Sequence, residues 1–121
     1  SHGRRILVVE DEALIAMEIV DVLTAAEFDV LGPARTNAQA LDLLARVPCD
    51  AAVLDVNLGS HTSEALARRL ADERVPFVLL TGYARHQLPA AYSDAPLLSK
   101  PLRAGQLIGA LERCLTRPVT D

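Results

Sequence analysis

The sequence contains no tryptophan, and aromatic residues make up 3% of its 121 positions. It therefore lacks the stacked aromatic surface that typically binds single-stranded nucleic acid. It also has no basic run: 12 lysines and arginines against 16 acidic residues give a net charge of −4. A mildly acidic chain without a basic cluster is a poor candidate for direct nucleic-acid binding.

Long apolar segments and a cysteine framework are also missing. No apolar run approaches the roughly 20 residues that span a bilayer, and no signal-peptide pattern opens the chain. The two cysteines, Cys49 and Cys114, form no CxxC pair, which fits a reducing compartment. We therefore expect a cytoplasmic protein that does not associate with membranes.

Apolar runs of strand length alternate with helical stripes along the chain. The predicted strands are Ile6–Val9, Phe28–Leu31 (closed by Gly32-Pro33), Ala51–Leu54, Pro76–Leu80 and Leu97–Leu98. This alternation predicts a single α/β domain with a doubly wound, five-stranded parallel sheet and helices on both faces.

The helical segments between these strands carry recognisable signals. Ile15, Ile19 and Val22 recur on one helical stripe. Thr36 followed by Gln39 is typical of a capping box at a helix start. The stretch from 83 to 95 contains Pro89 and has little periodicity, so any helix there should be short or irregular. Gly59 and Ser60 are expected to form a loop.

Polar residues stand where four predicted strands end. Glu10 and Asp11 follow the first strand, Asp55 the third, Thr81 the fourth and Lys100 the fifth. The carboxyl ends of parallel strands form the site in such sheets, so these side chains should converge. Three converging carboxylates repel one another and require a cation. Since all the ligands are oxygens, Mg²⁺ fits better than zinc.

This combination is suited to phosphoryl transfer. That chemistry requires a nucleophile, a metal and donors around the phosphoryl oxygens. Asp55 is central in the sheet and is the best candidate nucleophile, which would form an acyl phosphate. Taken singly, each residue also has an ordinary interpretation: acids favouring a helix N-terminus, an aspartate in an Asx turn, a turn threonine and a solvated lysine.

Enzymes of other kinds are less well supported. The sequence has no nucleophile elbow and no phosphate-binding loop of the GxxxxGK[ST] type. A small Mg²⁺-dependent phosphatase would use an aspartate nucleophile and commonly a second aspartate two positions later as the general acid. Asn57 stands at that position and cannot release a proton in that role.

The residues at the strand ends resemble those of a known family. The segments Val9-Glu10-Asp11-Glu12, Val53 to Leu58, Leu80-Thr81-Gly82 and Ser99-Lys100-Pro101 are similar to the receiver domain of two-component response regulators. The resemblance covers residues 4 to 116 and implies a flavodoxin-like fold with strand order 2-1-3-4-5. It implies that Asp55 accepts a phosphoryl group from the phosphohistidine of a histidine kinase or histidine phosphotransfer protein.

The resemblance also implies a role for the other site residues. Asp11, Asp55 and the backbone carbonyl of Asn57 would bind Mg²⁺ directly, and Glu10 would act through a metal-bound water. Lys100 would pair with a phosphoryl oxygen. Thr81 would move to bond another oxygen and so change the surface of the fourth helix, fifth strand and fifth helix, where a downstream protein partner binds.

This chain departs from the family pattern at two places, at Leu97 and in the fourth helix, which Pro89 and the sparse pattern around it predict to be atypical. Receivers often carry an aromatic residue three positions before the lysine, where this chain has Leu97. The segment Pro76 to Tyr83 partly resembles a stand-alone alphaproteobacterial subgroup with a Phe-Ala-Thr-Gly-Tyr-type signature, of which Thr81-Gly82-Tyr83 matches. In that subgroup Tyr83 would take over part of the switching.

The domain organisation expected from the sequence is simple. Residues 4–116 form the receiver, 1–3 are an expression scar or frayed end, and 117–121 are a short tail. The chain is then a single-domain regulator or a receiver from a longer protein, acting as a signalling phosphoacceptor rather than as an enzyme. The alternative is a pseudo-receiver, a binding module that keeps the fold without being phosphorylated.

Overall fold

The apolar runs form a five-stranded sheet in a computed structural model that describes residues 3–59, 61–82, 88–92 and 95–116. The strands and helices are β1 (Arg5–Val9), α1 (Ala13–Ala25), β2 (Asp29–Ala34), α2 (Asn37–Arg46), β3 (Ala51–Asp55), β4 (Asn57–Leu58), β5 (His61–Thr62), α3 (Glu64–Asp72), β6 (Phe77–Thr81), a 3-10 helix (Ala90–Tyr92), β7 (Leu97–Ser99) and α4 (Ala104–Thr116). No helix among these described residues is long and apolar enough to cross a membrane.

The main sheet has the order β2-β1-β3-β6-β7, and all its neighbouring strands are parallel. Counting only the sheet strands along the chain, this is the predicted order 2-1-3-4-5, so the fold prediction is confirmed. β1, β3 and β6 lie side by side in the middle of the sheet, and the carboxyl ends of all three therefore lie at one edge.

Each face of the sheet carries its own core layer, because successive strand residues point to opposite faces. Leu7, Leu54 and Leu79 pack on the face covered by α2 and α3. Ile6, Val53 and Val78 pack on the face covered by α1 and α4. Both cysteines are thiols rather than disulfides and are partly buried, Cys49 against the first layer and Cys114 against the second.

The prediction for the second strand was wrong at both ends. We expected it to close at Gly32-Pro33, but β2 continues through both residues to Ala34. The pairing of β1 with β2 shifts between Leu7 and Val9, and this bulge accommodates the Gly-Pro step within the strand. Gly32 has φ +101°, and a Cβ there would lie 2.9 Å from the Val8 carbonyl oxygen, so glycine is required.

Two local predictions have different outcomes. Thr36 caps α2, since its Oγ1 accepts a hydrogen bond from the Gln39 N–H at 3.1 Å. The return bond of the box is displaced, because Gln39 Oε1 accepts from the Arg35 N–H at 2.7 Å. β4 and β5, on either side of the loop expected at Gly59-Ser60, pair antiparallel, which sequence analysis missed; Ser60 itself lies outside the described residues.

The segment between β6 and β7 is irregular where it can be described. Its described residues contain one 3-10 turn, directly after Pro89, which agrees there with the expectation of a short or irregular helix. Residues 83–87 and 93–94 lie outside the described residues, as do 117–121. The proposed switch residue Tyr83 is among them.

Candidate functional site

The predicted site residues lie together at the carboxyl edge of the sheet. Glu10 and Asp11 directly follow β1, Asp55 ends β3, Thr81 ends β6 and Lys100 directly follows β7. Their strands are held in register by ladder bonds through buried apolar residues, so the strand ends are fixed relative to one another. All of these site residues except Glu10 border an open pocket of about 430 Å³, whose lining also includes Glu12, Asn57, Gly59 and Gly82.

Three carboxylates form the acidic part of this site. One oxygen each from Glu10, Asp11 and Asp55 lie within 4.8 Å of one another. Glu10 and Asp55 are buried, whereas Asp11 is partly exposed toward the pocket. Glu10 Oε1 is enclosed and accepts no hydrogen bond from the described residues. A buried carboxyl oxygen without a donor is costly, and a hard divalent cation at this cluster would compensate it. The donor set therefore fits Mg²⁺.

The protonation of Glu10 reflects this crowding. Burial, followed by the adjacent Asp55, raises the pKa of Glu10 from 4.5 to about 8. The Glu12 N–H, which donates to Glu10 Oε2 at 3.1 Å, and the charge of Lys100 oppose the rise in pKa. Without a metal ion, Glu10 therefore holds a proton at neutral pH that it can share with Asp55. A cation that binds the carboxylates would release this proton.

Lys100 supplies the positive charge of the site. Its Nζ donates to Asp55 Oδ2 at 3.0 Å and lies 3.6 Å from both Glu10 Oε1 and Glu12 Oε1. Burial lowers the pKa of Lys100, but the bond to Asp55 and the nearby carboxylates outweigh it, so its pKa is raised. The lysine therefore stays charged at any physiological pH and holds one oxygen of Asp55.

The second oxygen of Asp55 is held from its own loop. Asp55 Oδ1 accepts a hydrogen bond from the Asn57 N–H at 3.3 Å. This bond belongs to the tight turn in which β3 passes into β4. It leaves the carboxylate oriented across the strand ends, where Thr81 is also buried. The Lys100 N–H donates to the Thr81 carbonyl at 3.2 Å, which ties the end of β6 to the lysine loop.

Sequence analysis missed two contributors to the site. Glu12 was treated only as part of an acidic run, but its carboxylate lies within ion-pair distance of Lys100. Arg35, in the loop after β2, donates from Nη2 to the Asp11 carbonyl at 3.3 Å. The acidic run is a signal that could have identified Glu12. No local pattern marks Arg35, because its contact depends on how β2 lies beside β1.

The position three residues before Lys100 holds an apolar side chain that packs against the core. Leu97, the first residue of β7, pairs with Leu79 and packs against the core layer under α2 and α3. Its side chain offers no hydroxyl group. Tyr83, the other candidate, lies outside the described residues.

Comparison with known proteins gives consistent matches. Residues 6–112 match the sequence model of the response regulator receiver domain. The transcriptional regulatory protein PdtaR of Mycobacterium tuberculosis is 30% identical over 118 residues, which cover 94% of this chain and 58% of PdtaR. The chain thus spans less than two thirds of that relative.

Solved structures extend the similarity. The solution structure of SdrG from Sphingomonas melonis Fr1 matches with a TM-score of 0.80 at 37% identity, covering 93% of this chain and 97% of SdrG. A structure described as the BeF3-activated conformation of SdrG, from Pseudomonas melonis Fr1, matches with a TM-score of 0.79 at 38% identity, covering 96% and 99% of the two chains.

Proposed function

The chain belongs to the response regulator receiver domain family, and on that premise we propose that Asp55 is its phosphoacceptor. Receiver domains are signalling modules that work with histidine kinases and downstream protein partners. The observation that carries the proposal is the setting of Asp55. One of its oxygens faces Lys100 Nζ at 3.0 Å, and it belongs to a carboxylate cluster no wider than 4.8 Å.

The proposed reaction transfers a phosphoryl group to Asp55. One carboxylate oxygen of Asp55 attacks the phosphorus of a phosphohistidine, the new O–P bond forms, and the P–N bond breaks as the electron pair returns to the imidazole. Lys100 lies where it can pair with a phosphoryl oxygen. The Thr81 hydroxyl, at the next strand end, would bond another.

Mg²⁺ is part of the proposal. Asp11, Asp55 and the Asn57 carbonyl would hold it directly, and Glu10 would act through water. When bound, it would neutralise charge that builds up on the phosphoryl oxygens. The protein residues would position the attacking oxygen of Asp55 and keep the positive charge of Lys100 beside it. Glu10 would lose its proton when the metal binds.

We propose that the downstream protein binds a surface formed by β7 and α4. β7 is an edge strand of the sheet, and a groove of about 690 Å³ runs between it and α4. Leu97, Leu98 and Gly109 line it, with Arg103 and Arg113 at its border. This corresponds to the fifth strand and last helix of the family. We expect the downstream protein to bind here, and the donor to be a cytoplasmic histidine kinase or histidine phosphotransfer protein.

The test is intact-protein mass after incubation with Mg²⁺ and acetyl phosphate. We expect a gain of one phosphoryl group that is absent in Asp55→Asn and after chelation of the metal. The control is Asp42→Asn, an exposed acid paired with Arg46 on α2, which should be phosphorylated normally. If neither acetyl phosphate nor beryllofluoride modifies the chain, and Mg²⁺ leaves the melting temperature unchanged, the pseudo-receiver is the better description.

A further inference from the structure

A buried hydrogen bond joins two segments that border the site from different parts of the chain. Tyr92 Oη and Ser63 Oγ lie 3.0 Å apart, and both residues are completely buried, at 0% exposure. Tyr92 ends the 3-10 helix between β6 and β7, and Ser63 directly precedes α3. Neither residue was assigned a role from sequence.

Ser63 closes the loop that begins at Asp55. Its N–H donates to the Val56 carbonyl at 2.8 Å, and its own carbonyl accepts from the Ala67 N–H at 2.9 Å. Val56, and with it the adjacent Asn57, is therefore tied to the start of α3 at Ser63. A displacement of Val56 or Asn57 next to a modified Asp55 acts directly on the Ser63 backbone.

Tyr92 anchors the segment on the other side. Its N–H donates to the Pro89 carbonyl at 3.1 Å, and its carbonyl accepts from the Ala95 N–H at 3.2 Å. Its ring belongs to the same core layer as Leu66 of α3. Two residues after Ala95 the chain enters β7, whose end leads to Lys100. The position of Tyr92 thus fixes the approach to the lysine strand.

The hydrogen bond favours joint displacement of the two hydroxyl groups. The Tyr92 hydroxyl also bonds the side chain of Thr62, the residue next to Ser63, so both of these contacts join Tyr92 to the same loop. A buried hydroxyl that loses a partner is destabilised by the desolvation that the lost bond no longer offsets. Burial also raises the pKa of Tyr92, so the phenol stays protonated and can donate to Ser63. When one segment shifts, the lower-energy response of the other is to follow.

We propose that the Ser63–Tyr92 hydrogen bond is a positioning link that couples the state of the Asp55 loop to the segment between β6 and β7. This inference rests on the proposed function, since the state it transmits is phosphorylation of Asp55. It adds two residues outside the phosphoryl pocket through which the modified site controls the approach to the partner surface.

The first test needs no phosphorylation. Tyr92→Phe keeps the ring and removes the hydroxyl, and Ser63→Ala removes the other partner. Amide hydrogen exchange in the metal-free chain should rise several-fold at Tyr92 and Ala95 in Ser63→Ala, and at Ser63 and Ala67 in Tyr92→Phe. Ile19→Val, in the opposite core layer, is the control for a general loss of stability. The link is refuted if the effects are not reciprocal, or if the control reproduces them.

The second test uses beryllofluoride with Mg²⁺ and amide chemical shifts. The wild-type chain should show shifts at residues 56–58 and also at Ala91, Tyr92 and Ala95. In Tyr92→Phe the shifts at 56–58 should persist, while those at the distal amides fall by at least half. Unaltered distal shifts in the variant, or none in the wild type, would overturn the link. If residues 56–58 of the wild type do not respond, the phosphoacceptor proposal fails, and the exchange experiment still decides whether the two segments are coupled.

Discussion

Lys100 Nζ lies 3.0 Å from Asp55 Oδ2 and holds one oxygen of that carboxylate, while the Asn57 N–H holds the other. The lysine follows the edge strand β7, and the aspartate ends the central strand β3. β6 lies between them, so the pair bridges three strand ends. A phosphoryl group on Asp55 would arrive beside a charge that is already in place.

Lys100→Met tests that charge. Removal of one preorganised donor from a transferring group typically slows a reaction roughly 100-fold, and we expect a loss of this order in the rate of phosphorylation by acetyl phosphate. The control is Arg103→Met, which removes an exposed cation three residues away. The rate is measured by intact mass against time, and equal rates in wild type and Lys100→Met would contradict the assigned role.

Asp55→Asn tests the carboxylate cluster. The substitution removes a negative charge from the crowded carboxylate cluster, and the amide oxygen can still accept from Lys100. We expect the metal-free variant to melt no lower than the wild type and to lose most of the rise in melting temperature caused by Mg²⁺. Thermal unfolding with and without Mg²⁺ measures both. A clearly lower melting temperature in the metal-free variant would argue against crowding.

The raised pKa of Glu10 determines part of the pH dependence of stability in the metal-free protein. Its pKa is raised from 4.5 to about 8 in the folded chain, so between these values the folded state binds one more proton than the unfolded state. The contribution of Glu10 to the free energy of unfolding of the metal-free protein should therefore be largest at low pH. It should be lost progressively as pH rises toward about 8.

Glu10→Gln separates this effect from other titrating groups. The variant should lack the part of the pH slope that Glu10 contributes, as measured by urea denaturation in the presence of a chelator. In the wild type, stabilisation by Mg²⁺ should grow over the same interval, because the metal binds the deprotonated carboxylate. If the free energy of unfolding of the two metal-free proteins changes with pH in parallel, folding does not raise the pKa of Glu10 and the prediction is wrong.

Gly32→Ala tests the bulge in β2. A Cβ at this position would lie 2.8 Å from the Ala34 N and 2.9 Å from the Val8 O, and φ is +101°. We expect a loss of about 2 kcal/mol or more in the free energy of unfolding. Gly105→Ala in α4, where a Cβ meets no atom within 4 Å, is the matched control and should be neutral or stabilising by up to about 1 kcal/mol. Similar effects at both sites would refute the requirement for glycine.

The parallel sheet and the convergence of the site residues were predictable because both follow from the strand pattern, whereas the strand order came from the family resemblance. Ile6–Val9 and Ala51–Leu54 are apolar on both faces, which marks buried parallel strands. Each runs directly into an acid, and parallel strands place such residues at a common edge. The family resemblance then assigned the roles, which the geometry accommodates without assigning them itself.

The features that could not be predicted from the sequence depend on contacts between distant segments. β2 passes through Gly32-Pro33 because β1 accommodates the bulge, and no pattern within β2 records this. The bond between Ser63 and Tyr92 spans 29 positions, and neither residue stands in a motif. The raised pKa of Glu10 arises from burial by the folded sheet, which the three-residue acidic run does not reveal.

The most direct test of the central claim locates the phosphoryl group chemically. After incubation with Mg²⁺ and acetyl phosphate, borohydride reduces an acyl phosphate to an alcohol, so a phosphorylated aspartate becomes homoserine at its own position. We predict homoserine at position 55 and at no other acidic residue, found by peptide mass spectrometry, and none when the metal is chelated. Homoserine at Asp11 instead, reduction of Glu10 to 2-amino-5-hydroxypentanoic acid, or a phosphate that resists borohydride on a serine or threonine, would contradict the account.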